Sequence, residues 1–284
     1  MKTKIDLHLH SNFSDGAFSP EKLIDIAIKK KIPAIALTDH DTAEGNKKAL
    51  EYSKNKDIKF VPGIEIAATP PENCKELHIV GLFIDSENTK IKEISDKHKN
   101  YSIKTAKKII EILNGLGYDI SFEELLQETK GKNFARPFIA KILMRKYPEE
   151  FFDRKDVFNK LLGKNGKAFV RPKGTEMKEA IKIIHNARGI AILAHPWYLG
   201  EKMKEVIEEF VSLGGDGIER EFVEDEDIPK DTGKKLDRLI KKHNLVVSGG
   251  TDFHETKEGK EILGDRGLTK EEFERLKDFE KRYL

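Results

Sequence analysis

The sequence has only one cysteine, Cys74, and it has no long apolar run. A single cysteine cannot form an internal disulfide, and it cannot build a zinc site from several thiolates. Neither a secretory signal pattern nor an apolar stretch long enough to span a membrane is present in the sequence. These absences predict a cytoplasmic protein that does not associate with a membrane.

An excess of charge of one sign is also missing, since 52 basic and 50 acidic residues leave a net charge of +2. So small a charge provides no field to recruit long nucleic acid or an anionic membrane. It leaves open a small phosphorylated substrate, including a nucleotide or a short oligonucleotide. With 38% hydrophobic residues among 284, the chain is too apolar to be disordered and long enough to bury a large core. We expect a globular protein, and the sequence indicates no obligate protein partner.

Helix and strand patterns alternate at the start of the chain. Residues 20–28 have the apolar spacing of a helix behind an N-cap serine, Ser19. Residues 32–37 form a short apolar run typical of a buried parallel strand, residues 43–54 a second helix, and residues 59–66 another strand. This order predicts an α/β fold with a parallel sheet. Because polar residues cluster just past the carboxyl ends of the strands, a (β/α) barrel is the favoured architecture.

The middle of the chain has no strand pattern. A long amphipathic helix is predicted over residues 91–116, a capping box over 121–124 and a further helix over 136–143. The alternation of strand and helix resumes with a helix predicted over residues 176–187. The predicted domains are a barrel made of residues 1–90 and 167–284, and a helical insertion domain over residues 91–166.

The first stretch of the chain carries two histidines in a predicted strand. His8 and His10 lie two residues apart, so their side chains project from one face and can hold one metal ion. Asp15 adds a carboxylate a few residues later, in a segment whose composition predicts a turn. His78 begins its predicted strand instead of ending it. It reaches the same edge of the sheet if that strand runs antiparallel to the one that carries Glu65.

Nine histidine, aspartate and glutamate residues are candidate metal ligands because they lie at or just beyond the termini of predicted strands. Their mixture of nitrogen and oxygen donors, without a thiolate, suits manganese, iron, zinc or cobalt. Nine ligands exceed the need of one ion, so we expect two or three divalent ions, manganese first and iron or zinc as alternatives. Three other histidines, His98, His185 and His243, fall in charged helical stretches and are predicted to be exposed. The candidate ligands are His8, His10, Asp15, His40, Glu65, His78, His195, Asp252 and His254.

These motifs, in this order, resemble the successive motifs of the PHP family, named for polymerase and histidinol phosphatase. The resemblance covers nearly the whole chain, from His8-Leu9-His10 to Asp252-Phe253-His254. It implies a distorted seven-stranded (β/α) barrel, a TIM-like fold, with a trinuclear metal site. It assigns one ion to His8, His10, Glu65 and Asp252, a second to Glu65, His78 and His195, and the third to Asp15, His40 and His254.

Residues 136–143 also resemble the helical insertion of a PHP subgroup that includes 3′,5′-nucleotide bisphosphate phosphatases and short-RNA 5′-3′ exonucleases. The sequence departs from that subgroup at Phe138, where a histidine is common, and in the charged run Glu219-Arg220-Glu221-Phe222. The resemblance implies a metal-dependent phosphoesterase. Its expected substrate is a nucleotide phosphomonoester, such as a nucleoside 3′,5′-bisphosphate, or the end of a short oligonucleotide.

Hydrolysis of a phosphate ester needs a nucleophile at neutral pH and neutralisation of charge on the phosphoryl oxygens, and two metal ions supply both. We hypothesise that a hydroxide bridging two ions attacks phosphorus in line, without a covalent intermediate. His195 and His254 are the candidate catalytic residues that protonate the leaving oxygen, in competition with metal ligation. Arg136 is the candidate ligand for substrate phosphate, or else simply precedes the helix that begins at Pro137, and Arg171 is a second candidate.

Three other functions stay open at this point. A phosphatase for a small molecule such as histidinol phosphate would use the same metal site. An amidohydrolase, which cleaves C–N bonds, usually needs a carboxylated lysine that bridges its metals; none is evident, and Glu65 fills the bridging place more naturally. A non-catalytic, metal-stabilised module would have lost ligands, whereas all nine candidate positions are filled.

Overall fold

The chain forms two compact units, one made of Met1–Ile94 with Gly174–Leu284 and the other of Ser95–Lys173. The first unit contains a sheet of six strands whose order in the sheet follows the chain. The structure is a computed structural model that describes residues 4–72, 74, 76–129, 134–170, 173–220, 228–256 and 262–283. The strands are β1 (Ala34–Leu37), β2 (Lys59–Ala67), β3 (His78–Leu82), β4 (Ile190–Leu193), β5 (Gly217–Glu219) and β6 (Val246–Ser248).

The sheet is parallel at its two ends and antiparallel in its middle. β1 pairs in parallel with β2, and β4, β5 and β6 are parallel to one another. β3 runs antiparallel to both β2 and β4. The predicted α/β class is confirmed, although the sheet is mixed. The antiparallel direction of β3 is confirmed as well, and it places His78 opposite Ala67, two residues beyond Glu65.

Helices connect the strands and cover the sheet. Ser19 caps the first helix by accepting a hydrogen bond from the Lys22 backbone nitrogen, as predicted. A 3₁₀ helix spans Pro196–Lys202, and a π-helical turn spans Phe158–Leu162. The described α-helices are α1 (Pro20–Lys29), α2 (Glu44–Ser53), α3 (Thr89–Gly115), α4 (Phe122–Thr129), α5 (Arg136–Lys146), α6 (Arg154–Val157), α7 (Met177–Asn186), α8 (Met203–Ser212), α9 (Thr232–His243) and α10 (Lys270–Glu280).

Burial explains why these short apolar runs form strands. Every residue of β1 and β4 is buried, as expected for strands that are covered on both faces. Ile181 and Ile184 on α7 belong to the same buried cluster as Ile64 of β2 and Ile79 of β3. The periodic apolar face of the helix therefore packs on the sheet and holds it in place.

The segment Lys4–His10, predicted as a strand, forms isolated bridges on both sides instead of a continuous ladder. One bridge joins it to Ile35 in β1, and another joins it to Phe253, beyond β6. Gly250 permits this close approach, because a Cβ atom at that position would fall 2.4 Å from the backbone nitrogen of His8. The segment thus lies between the first strand of the sheet and the chain that follows the last one.

The second unit, Ser95–Lys173, has a helical core of its own that includes Leu113, Leu125 and Leu143. The predicted capping box at the start of α4 is confirmed: Ser121 N donates to Glu124 Oε2 (2.8 Å), and Glu124 N donates to Ser121 Oγ (3.1 Å). In the same unit, α6 leads directly into the π-helical turn.

The prediction that His185 is exposed is wrong. Its side chain is half-buried, its Nε2 atom lies 2.8 Å from Asp216 Oδ2, and its ring stacks on Tyr283 at a centroid distance of 4.9 Å. His98 and His243 are half-buried too. A charged helix still has a face directed to the protein, and these histidines lie at its border. Within the described residues, no helix combines the length and apolar character needed to cross a bilayer.

Candidate metal centre

His8 and His10 lie side by side in the segment Lys4–His10, next to the point where β1 ends. Their rings are 5.2 Å apart between centroids, and both side chains are fully buried. Three hydrogen bonds join Leu9, between them, to Thr38: Thr38 N (2.9 Å) and Thr38 Oγ1 (3.2 Å) donate to the Leu9 carbonyl, and Leu9 N donates to Thr38 Oγ1 (3.1 Å). The segment is therefore fixed beside the chain that leads from β1 to His40.

Glu65 lies at the centre of the cluster. It is fully buried near the end of β2, and five imidazole rings approach its carboxylate. Such a carboxylate can be shared between two cations. At Oε1 the neighbours are His78 Nδ1 (3.0 Å) and His195 Nε2 (3.1 Å); at Oε2 they are His40 Nδ1 (3.0 Å), His8 Nε2 (3.2 Å) and His10 Nε2 (3.2 Å).

Two further carboxylates lie on either side of His10. Asp252 Oδ1 is 3.0 Å from His10 Nε2 and 3.4 Å from His8 Nε2. Asp15 Oδ1 is 3.2 Å from His254 Nε2 and 3.9 Å from His10 Nδ1. Both carboxylates therefore have oxygen atoms directed at imidazole nitrogens, as ligands of shared ions would.

All nine predicted candidates lie in this cluster. Their donor atoms form three groups that are close enough to hold an ion. His195 lies beside the third group, with Nε2 at 3.1 Å from both Glu65 Oε1 and His78 Nδ1. The groups are His8, His10, Glu65 and Asp252; His10, Asp15, His40 and His254; and His40, Glu65 and His78.

The charges of the centre are strongly coupled. Although burial opposes it, Asp252 and Glu65 raise the pKa of His10 to about 10, and Glu65 raises the pKa of His78 to about 9. Burial and the neighbouring imidazoles lower the pKa of His40, despite its carboxylate neighbours. Burial would raise the pKa of Glu65, but the surrounding imidazoles hold it well below its usual range. The ionised carboxylates require compensating positive charge, which protons on the imidazoles or shared cations can provide.

Unsatisfied atoms test whether the site suits a metal. Four buried polar atoms of the centre have no hydrogen-bond partner: His8 Nε2, His10 Nε2, Asp15 Oδ1 and Glu65 Oε2. A buried polar atom without a partner is costly, and all four belong to the ligand groups above. Imidazole nitrogen and carboxylate oxygen are donors that manganese, iron and zinc accept. The residues present therefore fit a site for divalent metal ions.

Buried carboxylates outside the ligand set hold the ligand-bearing segments. Asp39 accepts hydrogen bonds from Ser11 N (2.6 Å), Ser11 Oγ (2.7 Å) and Ser14 Oγ (2.7 Å), which fixes the loop that leads to Asp15. Asp6 accepts from Thr251 N (2.9 Å) and Thr251 Oγ1 (2.6 Å), next to Asp252. Both aspartates are fully buried, so these bonds are shielded from water.

Glu219 is a site residue that was not among the predicted ligands. It is buried at the end of β5. Its Oε1 atom lies 2.8 Å from His8 Nδ1, and its Oε2 atom accepts a hydrogen bond from His195 N (2.7 Å). If His8 Nδ1 donates its proton to Glu219, His8 Nε2 carries no proton. Its lone pair is then available to a metal ion beside Glu65. Its place at a strand end, like that of the ligands, is the sequence feature that could have identified it.

Two predicted ligands have left-handed backbone conformations. His195 has φ 28° and Asp252 has φ 52°. Non-glycine residues seldom adopt positive φ, and the conformation persists where the surroundings impose it. At His195 it marks the sharp change from β4 to the 3₁₀ helix.

The predicted substrate residues lie apart from this cluster in the sequence. Arg136 is the first residue of α5, where its Nη1 donates to the carbonyl of Leu162 (3.0 Å). Phe138, the departure from the subgroup pattern, packs against the core of the second unit. Arg171 lies outside the described residues, as do Glu221 and Phe222 of the charged run.

Comparison with known proteins agrees with the motifs. The sequence profile of the PHP domain matches residues 6–192. The 5′-3′ exoribonuclease of Haemophilus influenzae is 32% identical over 89% of this chain and 91% of its own length. The 3′,5′-nucleoside bisphosphate phosphatase of Chromobacterium violaceum is 29% identical over 92% of this chain and 90% of its own. Among solved structures, a candidate metal-dependent phosphoesterase of Bifidobacterium adolescentis has the same fold, with a TM-score of 0.82 at 24% identity, over 97% of this chain and 96% of that one.

Proposed function

This chain belongs to the PHP domain family and is a metal-dependent phosphoesterase, and from that premise we propose that it removes phosphate from a nucleotide. A nucleoside 3′,5′-bisphosphate is the substrate we favour, and the 5′ end of a short RNA is the next. The names of two relatives that align over nearly their whole length support this choice. The near-neutral charge of the chain is compatible with a small substrate.

The observation that carries the proposal is the position of Glu65 among five imidazoles, beside buried atoms that lack partners. When bound, divalent ions there supply Lewis acidity toward the phosphoryl oxygens and a nucleophile at neutral pH. We propose manganese, with iron or zinc as alternatives, and two or three ions. The proposed ligands are His8, His10, Asp15, His40, Glu65, His78, His195, Asp252 and His254.

His254 and His195 are the proposed proton donors to the leaving oxygen, a role that either residue can take only while its imidazole does not bind a metal ion through the same nitrogen. His254 Nδ1 is 2.9 Å from the backbone carbonyl of Asp252, so a proton on Nδ1 is donated there and Nε2 faces the site. The His254 side chain is 30% exposed, whereas that of His195 is 5% exposed and 3.1 Å from Glu65. We therefore prefer His254, because it can exchange its proton with solvent between turnovers.

Arg136 is the proposed ligand for a substrate phosphate. Its guanidinium lies over the rings of Phe158 (5.8 Å) and Phe169 (5.6 Å) while it donates to Leu162, which fixes its orientation. A guanidinium has five N–H donors, so it can keep such a contact and also bind phosphate. Arg171 is a second proposed phosphate ligand.

The finer features of the fold are part of the proposal. We propose that the segment Lys4–His10 takes the place of the seventh strand in a distorted (β/α)₇ barrel. Its bridges to β1 and to Phe253 support this assignment. We also propose that residues 91–166 are a helical insertion domain. The separate helical unit Ser95–Lys173 supports that assignment. A cytoplasmic location remains a prediction.

The test is to purify the protein without chelators, count its metals and measure phosphate release with manganese supplied. The substrates are adenosine 3′,5′-bisphosphate, histidinol phosphate and a short 5′-phosphorylated RNA. We expect two or three metal ions and fastest release from the bisphosphate. In a Glu65→Gln variant, both metal content and release should fall, whereas Glu205→Gln, an exposed change on α8, should keep both.

Release only from histidinol phosphate would favour a small-molecule phosphatase. A protein with its full metal content that releases no phosphate from any ester would contradict the proposal and favour the non-catalytic module. Amide or lactone hydrolysis by that protein would favour the amidohydrolase alternative. The structure also argues against the amidohydrolase, because Glu65 lies between the imidazole groups, at the position where an amidohydrolase would be expected to have a carboxylated lysine.

A further inference from the structure

Two aromatic residues come soon after the metal-ligand candidate His195, separated from it by Pro196. Trp197 is the only tryptophan of the chain, and Tyr198 comes after it. The left-handed conformation of His195 and the proline at position 196 turn the chain sharply from β4 into the 3₁₀ helix. Tyr198 N donates to the carbonyl of His195 (3.1 Å), which closes this turn. The turn therefore fixes both aromatic residues at the edge of the metal centre.

The rings lie close to the His195 imidazole. Centroid distances are 5.4 Å from His195 to Tyr198 and 6.2 Å from His195 to Trp197. Trp197 and Tyr198 are 5.9 Å apart and tilted by 58°, so they are not stacked face to face on one another. Tyr198 is 41% exposed, which is unusual for a large aromatic residue beside a buried cluster. Trp197 is half-buried.

We propose that Trp197 and Tyr198 form a stacking surface for the base of the nucleotide whose phosphate is held at the metal centre. This inference rests on the proposed function, and it names a base-binding subsite within it. His195 links the two parts, because its imidazole lies 3.1 Å from Glu65 and its ring centroid is 5.4 Å from that of Tyr198. An aromatic face accepts any of the bases, so the surface selects for a nucleotide but not for one base.

The size of the effect can be anticipated. Alanine substitution of an aromatic residue that stacks on a base weakens nucleic acid binding by about tenfold to a hundredfold. A small sugar phosphate without a base would gain nothing from this surface. Trp197 and Tyr198 should therefore raise affinity for nucleotides alone, while metal ligation and the chemical step stay as they are.

The first experiment uses the fluorescence of Trp197 in the metal-loaded protein. Stopped-flow mixing with adenosine 3′,5′-bisphosphate should quench it saturably, before turnover. Methyl riboside 3,5-bisphosphate, which carries the same phosphates without a base, should leave the fluorescence nearly unchanged. Equal responses to both compounds, or no response to either, would overturn the proposal.

The second experiment compares steady-state kinetics of both esters in variants. Trp197→Ala should raise KM for the nucleotide about tenfold with kcat within about twofold, and it should leave KM for the base-free ester unchanged. Tyr198→Ala should act in the same direction, and Trp197→Phe should keep most of the affinity. Phe152→Ala removes an 83% exposed ring in the second unit and serves as the matched control. Metal content and thermal midpoint are measured for each variant.

The outcomes separate this proposal from the proposed function. If Trp197→Ala raises KM equally for both esters, the residue only supports the metal site and the base subsite is refuted. If the wild-type protein hydrolyses neither ester, the proposed function fails. The fluorescence comparison then still decides whether the base binds beside Trp197.

Discussion

Glu219 shows how a residue outside the ligand set can control one inside it. An imidazole that binds a metal through Nε2 needs its proton on Nδ1, and a carboxylate at Nδ1 fixes that tautomer. Glu219 Oε1 lies 2.8 Å from His8 Nδ1, and its other oxygen holds the backbone of His195. One side chain therefore orients two parts of the site that are distant in the sequence.

We predict that Glu219→Gln weakens metal binding by about tenfold to a hundredfold. The amide can still accept the proton of His8, but its nitrogen cannot accept the hydrogen bond from His195 N. The measurement is metal affinity by competition with a chelator of known affinity. Glu205→Gln, an exposed change, should not alter affinity. Unchanged affinity in Glu219→Gln would show that His8 is oriented without it.

Arg136 gives a second prediction for a single residue. Arg136→Ala should raise KM for a phosphomonoester well over tenfold, because a bidentate contact to phosphate is lost. Arg136→Lys should recover only part of the affinity, since an ammonium cannot make the forked contact. Arg145→Ala, which removes an exposed arginine of the same helix, is the control. An unchanged KM in Arg136→Ala would remove this residue from the site.

The sequence predicted the residues that come together at the metal centre more accurately than the residues that hold them in place. His8 and His10 could be placed on one face because a strand repeats every two residues, and His40 and Glu65 because each is near the end of a strand. The supporting bond from Glu219 to His8 joins residues 211 positions apart. It depends on the sheet order, which periodicity alone does not reveal.

Among the elements, β3 and the first segment mark the limits of sequence reasoning. The antiparallel direction of β3 was predictable, because His78 begins its strand and the other candidates end theirs. The broken pairing of Lys4–His10 was not, since its apolar alternation is that of a regular strand. Its isolated bridges reach Leu268, Ile35 and Phe253, which come from three separate parts of the chain. Partial burial of His185 was missed because its partners, Asp216 and Tyr283, are distant in sequence.

Helices α4 and α5 provide a prediction about pH. Glu128 on α4 pairs with Lys141 (2.6 Å) and Arg145 (2.7 Å) on α5, and these bonds lower the pKa of Glu128. A carboxyl group with a folded pKa below its unfolded value adds stability above the unfolded pKa of about 4.5, and that stability is lost as the pH falls through the folded pKa. Its partners are more than half exposed, so screening keeps the contribution small.

We therefore expect Glu128→Gln to lower the free energy of unfolding by about 0.5 to 1 kcal/mol at pH 7. The difference from wild type should shrink as the pH is lowered below about 4.5, because the carboxyl of the unfolded chain is protonated first and that of the folded chain only below its lower pKa. Urea denaturation at a series of pH values measures it. A difference that stays constant down to pH 3 would mean that the ion pairs contribute nothing.

At the scale of the whole molecule, the metal centre concentrates buried polar groups whose hydrogen-bonding capacity the described part of the chain does not fully satisfy. Six imidazoles and three carboxylates converge there from the first segment, β2, β3 and the chain beyond β1, β4 and β6. Four of their buried atoms have no hydrogen-bond partner. A divalent ion bound to the folded chain but not to the unfolded one stabilises it by about 4 kcal/mol at a thousandfold excess over its Kd.

Removal of metal should therefore destabilise the protein as a whole. For a protein of this size, about 4 kcal/mol corresponds to a fall in the thermal midpoint of roughly 8 to 16 °C. The measurement is calorimetry before and after dialysis against a chelator, with metal content determined for each sample, and manganese should restore the midpoint. Glu65→Gln should have a low midpoint that the chelator does not change further, whereas Glu128→Gln should keep the full response. If the wild-type midpoint stays constant while its metal is lost, the buried centre must be balanced by protons on its imidazoles, and the ions would serve chemistry alone.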